Sequence, residues 1–300
     1  MINSQPTPLG DASRAEPEDV ISGKILGERI RERFTQPDFK APMLPDVAMR
    51  LMALTRDPDA TIKGFTELLE TDPVLTAQVM RIAQSPFYRS CVEISSLRVA
   101  LVRLGMITVR NIVLAASLNS RIFRNPDFQE AMESLRRHSM ATGIAGRLLS
   151  QHTGVFEEHA FLGGLMHDIG IAAVLSVISE DPYLVHYSTD EIACVVFEVH
   201  EELGGVLLKH WGLPMELELI VANHHHPPPA EFNSCPIATV TLAEALADAC
   251  GASITGLGDR PFPTTSPEVL EGLRARYGLT DEVWAQQQRE LLELLTDLPR

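Results

Sequence analysis

Basic residues are in short supply in this 300-residue chain: Lys and Arg total 25 against 40 Asp and Glu, a formal net charge of −15. That balance speaks against a surface built to wrap nucleic acid or lie on anionic lipid. The nearest approaches to a basic patch are RIRERF (Arg29–Phe34) and the scattered Arg103, Arg110 and Arg121, which read as solvated helix faces. Cysteine is also sparse. Cys91, Cys194, Cys235 and Cys250 make no CxxC pair and no zinc-ribbon spacing. They read as reduced thiols packed like small hydrophobes, in keeping with a reducing cytosol. The first twenty residues lack the apolar core of a signal peptide. No apolar run approaches the roughly 18 residues that a membrane helix needs. Alternation of period two, the mark of a half-buried strand, is missing as well. These absences predict a soluble, cytoplasmic protein without a sheet and with no nucleic-acid or membrane partner.

What is present is helical periodicity over a normal apolar content of 45%. Residues 1–20, rich in Pro, Ser, Asp and Glu, read as a disordered tail. From about residue 21 the signal is helical almost to the end. LPDVAMRLMALTRDPDA places Leu44, Val47, Ala48, Leu51 and Leu54 at 3–4 spacing, and TIKGFTELLETDP repeats the pattern. Asp72 suits an N-cap and Pro73 a first turn. ISSLRVALVRLG offers Ser95 or Ser96 as a cap and Gly105 as a stop. PDFQEAMESLRRHSMATGIAGRLLSQHTG reads as one long helix ending near Gly154, and FEEHAFLGGLMHDIGIAAVLSVI as another. The fold class expected is all-α. Two helical modules meet near 122–126: an N-terminal bundle over 21–125 and a C-terminal bundle over 126–300. Phe87 and Tyr88 read as a hydrophobic plug or a partner-facing pair, Trp211 as packing after its helix, and the last helix as a cap or a dimer face.

Chemistry concentrates in the second half. Nine of the ten histidines lie beyond position 150, and the tenth, His138, opens the same region. In AFLGGLMHDIG a titratable pair, His167-Asp168, sits among apolar and small residues. Burying two such groups is costly unless something pairs with them, and a metal ion is one such partner. His138, His167, Asp168, His200, the run His224-His225-His226, and the carboxylates Glu244 and Asp248 each lie in or at the end of a separate apolar helix. Packed helices can each donate one inward ligand, and imidazoles with carboxylates suit a divalent ion with open positions for water. His152, His159, His186 and His210 read as core or surface residues outside that set.

The order of these motifs resembles the HDOD family, relatives of the HD and HD-GYP phosphohydrolases. It runs from PMLPDVAMRLMALTRDPDA through DPVLTAQVMRIAQS and ALVRLG to AFLGGLMHDIG, HEELGGVLLKHWGLP and HHHP, about residues 40–255. The resemblance implies an all-α fold whose C-terminal bundle is HD-like, and a bacterial signalling role with protein partners. His138, His167 and Asp168 match the first three HD positions. The fourth aligns with Glu244, with Asp248 one turn further on as the alternative. His200, His224 and His225 match positions that hold a second metal in HD-GYP relatives. HHHPPPAEF stands where the HD-GYP signature would follow.

Two readings follow from that resemblance. In the first, the chain is a non-enzymatic regulatory or scaffolding module that retains an HD-type metal site. In the second, it is a metal-dependent phosphohydrolase acting on a phosphomonoester, a nucleotide or, less in keeping with the missing signature, a cyclic dinucleotide. Its one or two ions would be Fe, Mn or Zn, and Asp168 would be the catalytic, bridging ligand.

Overall fold

Side-chain caps at Thr61, Asp72 and Ser96 open three of the helices before residue 118. The computed structural model describes residues 17–36, 39, 42–84, 94–118, 122–184, 186–228, 235–258, 262 and 265–296, with side chains from residue 24 onward. In chain order the helices are α1 (Pro17–Thr35), α2 (Asp46–Leu54), α3 (Ile62–Leu69), α4 (Pro73–Ala83) and α5 (Leu97–Ser117). There follow α6 (Gln129–Thr153), α7 (Glu157–Met166), α8 (Ile169–Glu180), α9 (Thr189–His210), α10 (Met215–Val221), α11 (Pro236–Ala249), α12 (Pro267–Arg276) and α13 (Asp281–Thr296). Among the described residues there is no strand. The all-α class holds.

The Thr61 side chain accepts from the Gly64 N–H at 3.1 Å and opens α3. Asp72 accepts from the Leu75 N–H at 2.9 Å and opens α4, with Pro73 at its first turn. Ser96, not Ser95, caps α5 by accepting from Val99. Gly105 interrupts α5 rather than ending it. At φ 82, ψ 158 it kinks the rod, which resumes on the far side. Only a residue without Cβ sits there cheaply.

Three features depart from the sequence expectations. Helix α1 begins at Pro17, inside the segment read as tail. Although N-terminal, α1 packs against α8 and α9 of the second half, burying Leu26 and Ile30 there. Arg31 ties it to Glu198 at 3.1 Å and Glu202 at 2.9 Å. Arg110 is not on a solvated face. It is buried, and its guanidinium donates to Asn111, Thr55 and Glu158. It thereby joins the end of α2 to α5 and α7. Finally, Leu97–Ser117 and 157–180 do match a membrane span in length and hydropathy, because α7 and α8 run on with apolar residues across their break. Here both serve as core helices, and 157–180 is buried almost throughout.

Trp211, at the end of α9, is buried and donates its indole N–H to the Pro42 carbonyl at 2.9 Å, which holds the chain before α2. Helix α13 caps the second half. It packs on α6 and α11 and buries Leu291, while Leu292 stays exposed. Phe87, Tyr88, Cys91 and Arg121 lie outside the described residues.

Candidate metal centre

Two glycines flanking the His-Asp pair bring four helices close enough to share a site. A Cβ on Gly164 of α7 would stand 2.5 Å from the Thr142 carbonyl oxygen of α6. A Cβ on Gly170 of α8 would stand 2.0 Å from the His200 carbonyl oxygen of α9. Both approaches are possible only without a side chain. They draw His138 on α6 and His200 on α9 in toward residues 167 and 168. The apolar run expected as one helix breaks between them: α7 ends at Met166 with His167 as its C-cap, and Asp168 is the N-cap of α8 at φ −98, ψ 15. The break lets consecutive side chains enter the same cavity, which an unbroken helix would splay by about 100°.

The result is a buried knot of imidazoles around one carboxylate. His138, His167, Asp168, His200, His224 and Glu244 are all buried. Asp168 Oδ2 lies 3.1 Å from His167 Nε2 and 3.5 Å from His138 Nε2. Its Oδ1 lies 3.3 Å from both His200 Nε2 and His224 Nε2. His225 packs beside His224 with ring centroids 4.2 Å apart, and its Nδ1 is 3.6 Å from Glu244 Oε2.

The remote nitrogens decide the chemistry of the near ones. His138 Nδ1 donates to the Ala252 carbonyl at 2.9 Å, His167 Nδ1 to Gly164 at 2.8 Å, His200 Nδ1 to Phe197 at 2.7 Å and His224 Nδ1 to Val221 at 2.9 Å. Only an N–H satisfies a carbonyl, so each neutral ring carries its proton on Nδ1 and presents a bare Nε2 lone pair inward. Those lone pairs face one another: His138 and His167 Nε2 are 3.1 Å apart, and His200 and His224 Nε2 are 3.3 Å apart. Two lone pairs at that distance repel unless a proton or a cation sits between them. Two imidazole nitrogens bound at about 2.0–2.1 Å to one divalent ion stand about 2.8–3.0 Å apart at octahedral angles and about 3.3–3.4 Å apart at tetrahedral ones, values that bracket these separations. Asp168 Oδ1, His225 Nδ1 and Glu244 Oε2 are buried without a hydrogen-bond partner, and each points into the same knot. The donor set fits a divalent metal.

Two ligand groups share Asp168. One is His138, His167 and Asp168; the other is Asp168, His200, His224 and His225. Glu244 groups with His167 and His224 instead. Asp248 stands behind the knot, 3.6 Å from the remote Nδ1 of His138, where it backs the ring rather than joining the donors. His152, His186 and His210 are exposed, His159 is half-buried, and none of the four enters the cluster.

Protonation follows from this crowding. Burial tends to lower His167, but the charge and hydrogen bond of Asp168 outweigh it and raise it to about 9. Burial and the neighbouring His167 lower His138. Burial, with the other imidazoles, takes His224 down to about 4 and pushes His225 lower still. Burial would raise Asp168, yet His167, His224 and His200 hold it well below the usual carboxylate range. Glu244 goes the other way: burial, with the carboxylates of Asp168, Asp248 and Glu201, raises it well above that range.

Glu201 is the residue that the histidine pattern does not announce. It accepts the His225 backbone N–H at 3.0 Å on Oε1 and meets His226 Nδ1 at 3.1 Å on Oε2. Its only signal in the sequence is its place directly after His200.

An all-α fold built around a His-Asp doublet, with histidines arriving from three further segments and a glutamate from a fourth, defines an HD-type helical protein. A family model for the HDOD domain matches residues 41–227, and the chain belongs to that family. Among solved structures it is similar to an HDOD domain protein of unknown function from Geobacter sulfurreducens. The identity is 21% and the TM-score 0.65, with 92% of this chain and 97% of that one covered. It is also similar to a protein from Shewanella amazonensis SB2B named "Putative metal-dependent phosphohydrolase", at 19% identity and TM-score 0.72, covering 92% and 99%. A third, from Marinobacter aquaeolei VT8, is named "Putative signal transduction protein", at 21% identity and TM-score 0.59, covering 92% and 64%. At these identities the likeness establishes the fold. No curated protein matches the chain.

Proposed function

We propose that the chain is a bacterial, cytoplasmic HDOD signalling protein. Its C-terminal, HD-like half, from about residue 126, would hold one divalent ion in each of two donor groups that have Asp168 in common, and acts as a regulatory or scaffolding module toward protein partners. The observation that carries the metal reading is the convergence of four Nε2 lone pairs on the two oxygens of one buried carboxylate. His138, His167 and Asp168 Oδ2 would hold one ion. Asp168 Oδ1, His200, His224 and His225 would hold the other. Glu244, between His167 and His224, adds a carboxylate within reach of the pair. Fe, Mn and Zn all accept such imidazole-carboxylate donors.

The test is metal analysis of protein expressed under metal-replete conditions, with His167→Ala and Asp168→Asn beside the wild type. Two equivalents in the wild type, lost in Asp168→Asn, support the reading. A wild-type chain without near-stoichiometric metal overturns it.

A second reading, metal-dependent phosphohydrolysis, is favoured by the uneven ligand count. The His138 group has three protein donors against four in the other, which leaves positions for water. A bound ion would supply Lewis acidity and an acidified water there. The chain's own part is to keep Asp168 ionised, to keep Nε2 of His138 bare by donating its Nδ1–H to Ala252, and to make Glu244 easier to protonate than a free carboxylate while the site is metal-free. The name of the Shewanella amazonensis protein accords with this reading. Turnover of generic phosphoesters, nucleotides and cyclic dinucleotides that disappears in His167→Ala and Asp168→Ala would establish it. Activity that survives both substitutions comes from a contaminant.

A further inference from the structure

Between α10 and α11 the chain delivers two histidines in a row to the same cavity, from a turn instead of a helix. Turn residues move more readily than helical ones, and a metal ligand must be held to within a few tenths of an ångström. His224 has its own anchor, since Nδ1 donates to Val221. His225 has none through its ring: its Nδ1 is buried and without a hydrogen bond. Something else has to fix the backbone that carries these rings.

One side chain reaches all three consecutive histidines. Glu201 Oε1 accepts the His225 backbone N–H at 3.0 Å and lies 3.7 Å from His224 Nδ1. Its Oε2 lies 3.1 Å from His226 Nδ1. Glu201 is next to His200 on α9, so one helix supplies both a ligand and the brace for two other ligands of the same group. His225 is also confined laterally by Phe197 and His200, at ring-centroid distances of 5.5 and 5.3 Å. Those contacts fix the ring's slot, not the backbone. The backbone is held from two sides: the Thr241 hydroxyl of α11 donates to the His224 carbonyl, and the Glu201 carboxylate of α9 accepts the His225 N–H.

We infer that Glu201 is the positioning residue of the Asp168–His200–His224–His225 site: it clamps the 224–226 turn to α9 and so sets that site's affinity for its ion. This rests on the metal reading proposed above. Carboxylates behind metal-bound histidines govern affinity, and their loss typically costs about 10–100-fold. Glu201 touches nothing in the His138 group, so its effect is confined to one of two sites that share Asp168.

Cobalt(II) titration of chelator-stripped full-length protein, followed by visible absorption, reads the two equivalents separately. His138→Ala and His225→Ala show which equivalent belongs to which group. Glu201→Ala is expected to weaken the His225-dependent equivalent about 10–100-fold and to leave the His138-dependent one at its wild-type affinity. Glu201→Gln keeps an oxygen for the His225 N–H and is expected to lose less. The melting temperature of the stripped protein separates a clamp from a merely structural role. Equal weakening of both equivalents, with a matching fall in melting temperature, overturns the inference, as does wild-type affinity at both sites in Glu201→Ala. A wild-type chain that takes up no cobalt overturns the metal reading and this inference with it. Two wild-type equivalents that Glu201→Ala leaves untouched overturn this inference alone.

Discussion

His138 and His167 face each other through Nε2 atoms 3.1 Å apart, while their Nδ1 atoms are committed to the carbonyls of Ala252 and Gly164. Neither ring can turn to relieve the contact without abandoning a buried hydrogen bond. In metal-free protein one proton between them answers the repulsion; under the metal reading an ion would take that place. Asp168 Oδ2 stands by either occupant, 3.1 Å from His167 and 3.5 Å from His138. The same arrangement recurs on its other oxygen with His200 and His224.

Asp168 is therefore the residue on which both groups depend. Asp168→Asn keeps size and shape but removes the charge between four imidazoles. Metal content is expected to fall from two equivalents to near none, whereas His138→Ala removes one equivalent and spares the other. Elemental analysis of the purified variants checks the ratio. Equal loss in both variants would show that the two groups do not act as separate sites.

The proton shared by the first pair sets a pH dependence in the stripped protein. His167 has a folded pKa of about 9, above the unfolded value of about 6.5. Its stabilising effect is complete below about pH 6.5 and is lost as pH rises through 9. Glu244, raised by burial, acts in the same direction. His138, His224 and His225 are lowered, so their stabilising effect is present above about 6.5 and lost as pH falls. The contribution of the shifted imidazoles thus peaks near pH 6.5 in metal-free protein, while that of Glu244 already falls as pH rises past its unfolded value of about 4.3. Melting temperatures of chelated wild type and chelated His167→Gln, followed from pH 6.5 to 9, isolate the upper limb. The fall is expected in the wild type and much reduced in the variant.

The helices and most donors are readable from the sequence because each rests on a local signal. Asp72-Pro73 and Ser96 mark helix starts by their own side-chain chemistry, and a histidine in an apolar helix is conspicuous wherever it ends up. Other features depend on what lies across the chain. No local pattern tells that AFLGGLMHDIG breaks between its His and Asp, because the apolar run is continuous and only the approach of α6 and α9 forces the break. Arg110 looks like any surface arginine until Glu158 is brought against it. Glu201 looks like one of a pair of solvated carboxylates in HEEL until the 224–226 turn folds onto it. Asp248, one turn beyond Glu244, is told from it only by where the fold takes each: Asp248 to the remote Nδ1 of His138, Glu244 to His225 and the group with His167 and His224.

Gly170 tests whether the convergence is enforced by backbone contact. Its hypothetical Cβ would lie 2.0 Å from the His200 carbonyl oxygen, a rigid helical atom that cannot swing aside. Gly170→Ala is expected to destabilise by about 1–3 kcal/mol through overpacking and to weaken metal uptake by separating His200 from Asp168. Gly272→Ala is a matched control, since a Cβ at Gly272 meets nothing within 4 Å on the exposed α12. There the change is expected to be neutral or stabilising through helix propensity. Urea unfolding of both variants checks the contrast.

Arg110 ties the helices before α6 to α7. Its guanidinium is buried and spans Thr55 after α2, Asn111 on α5 and Glu158 on α7, the helix that ends at His167. Glu158 keeps about a quarter of its side chain exposed, 27%, so the pair is screened more than a fully buried one. Arg110→Ala strands Glu158 and two acceptors, and is expected to cost about 2–3 kcal/mol, below the roughly 3–5 seen when a fully buried pair is broken. Arg110→Met together with Glu158→Gln removes both charges and retains volume, so most of that loss is expected to return. A solvated arginine would change stability by no more than about 0.5 kcal/mol on truncation. Urea midpoints for wild type, single and double variants decide between the two. A single-variant loss that the double variant does not recover would mean that the guanidinium's hydrogen bonds to Thr55 and Asn111, and not the stranded charge of Glu158, carry the effect.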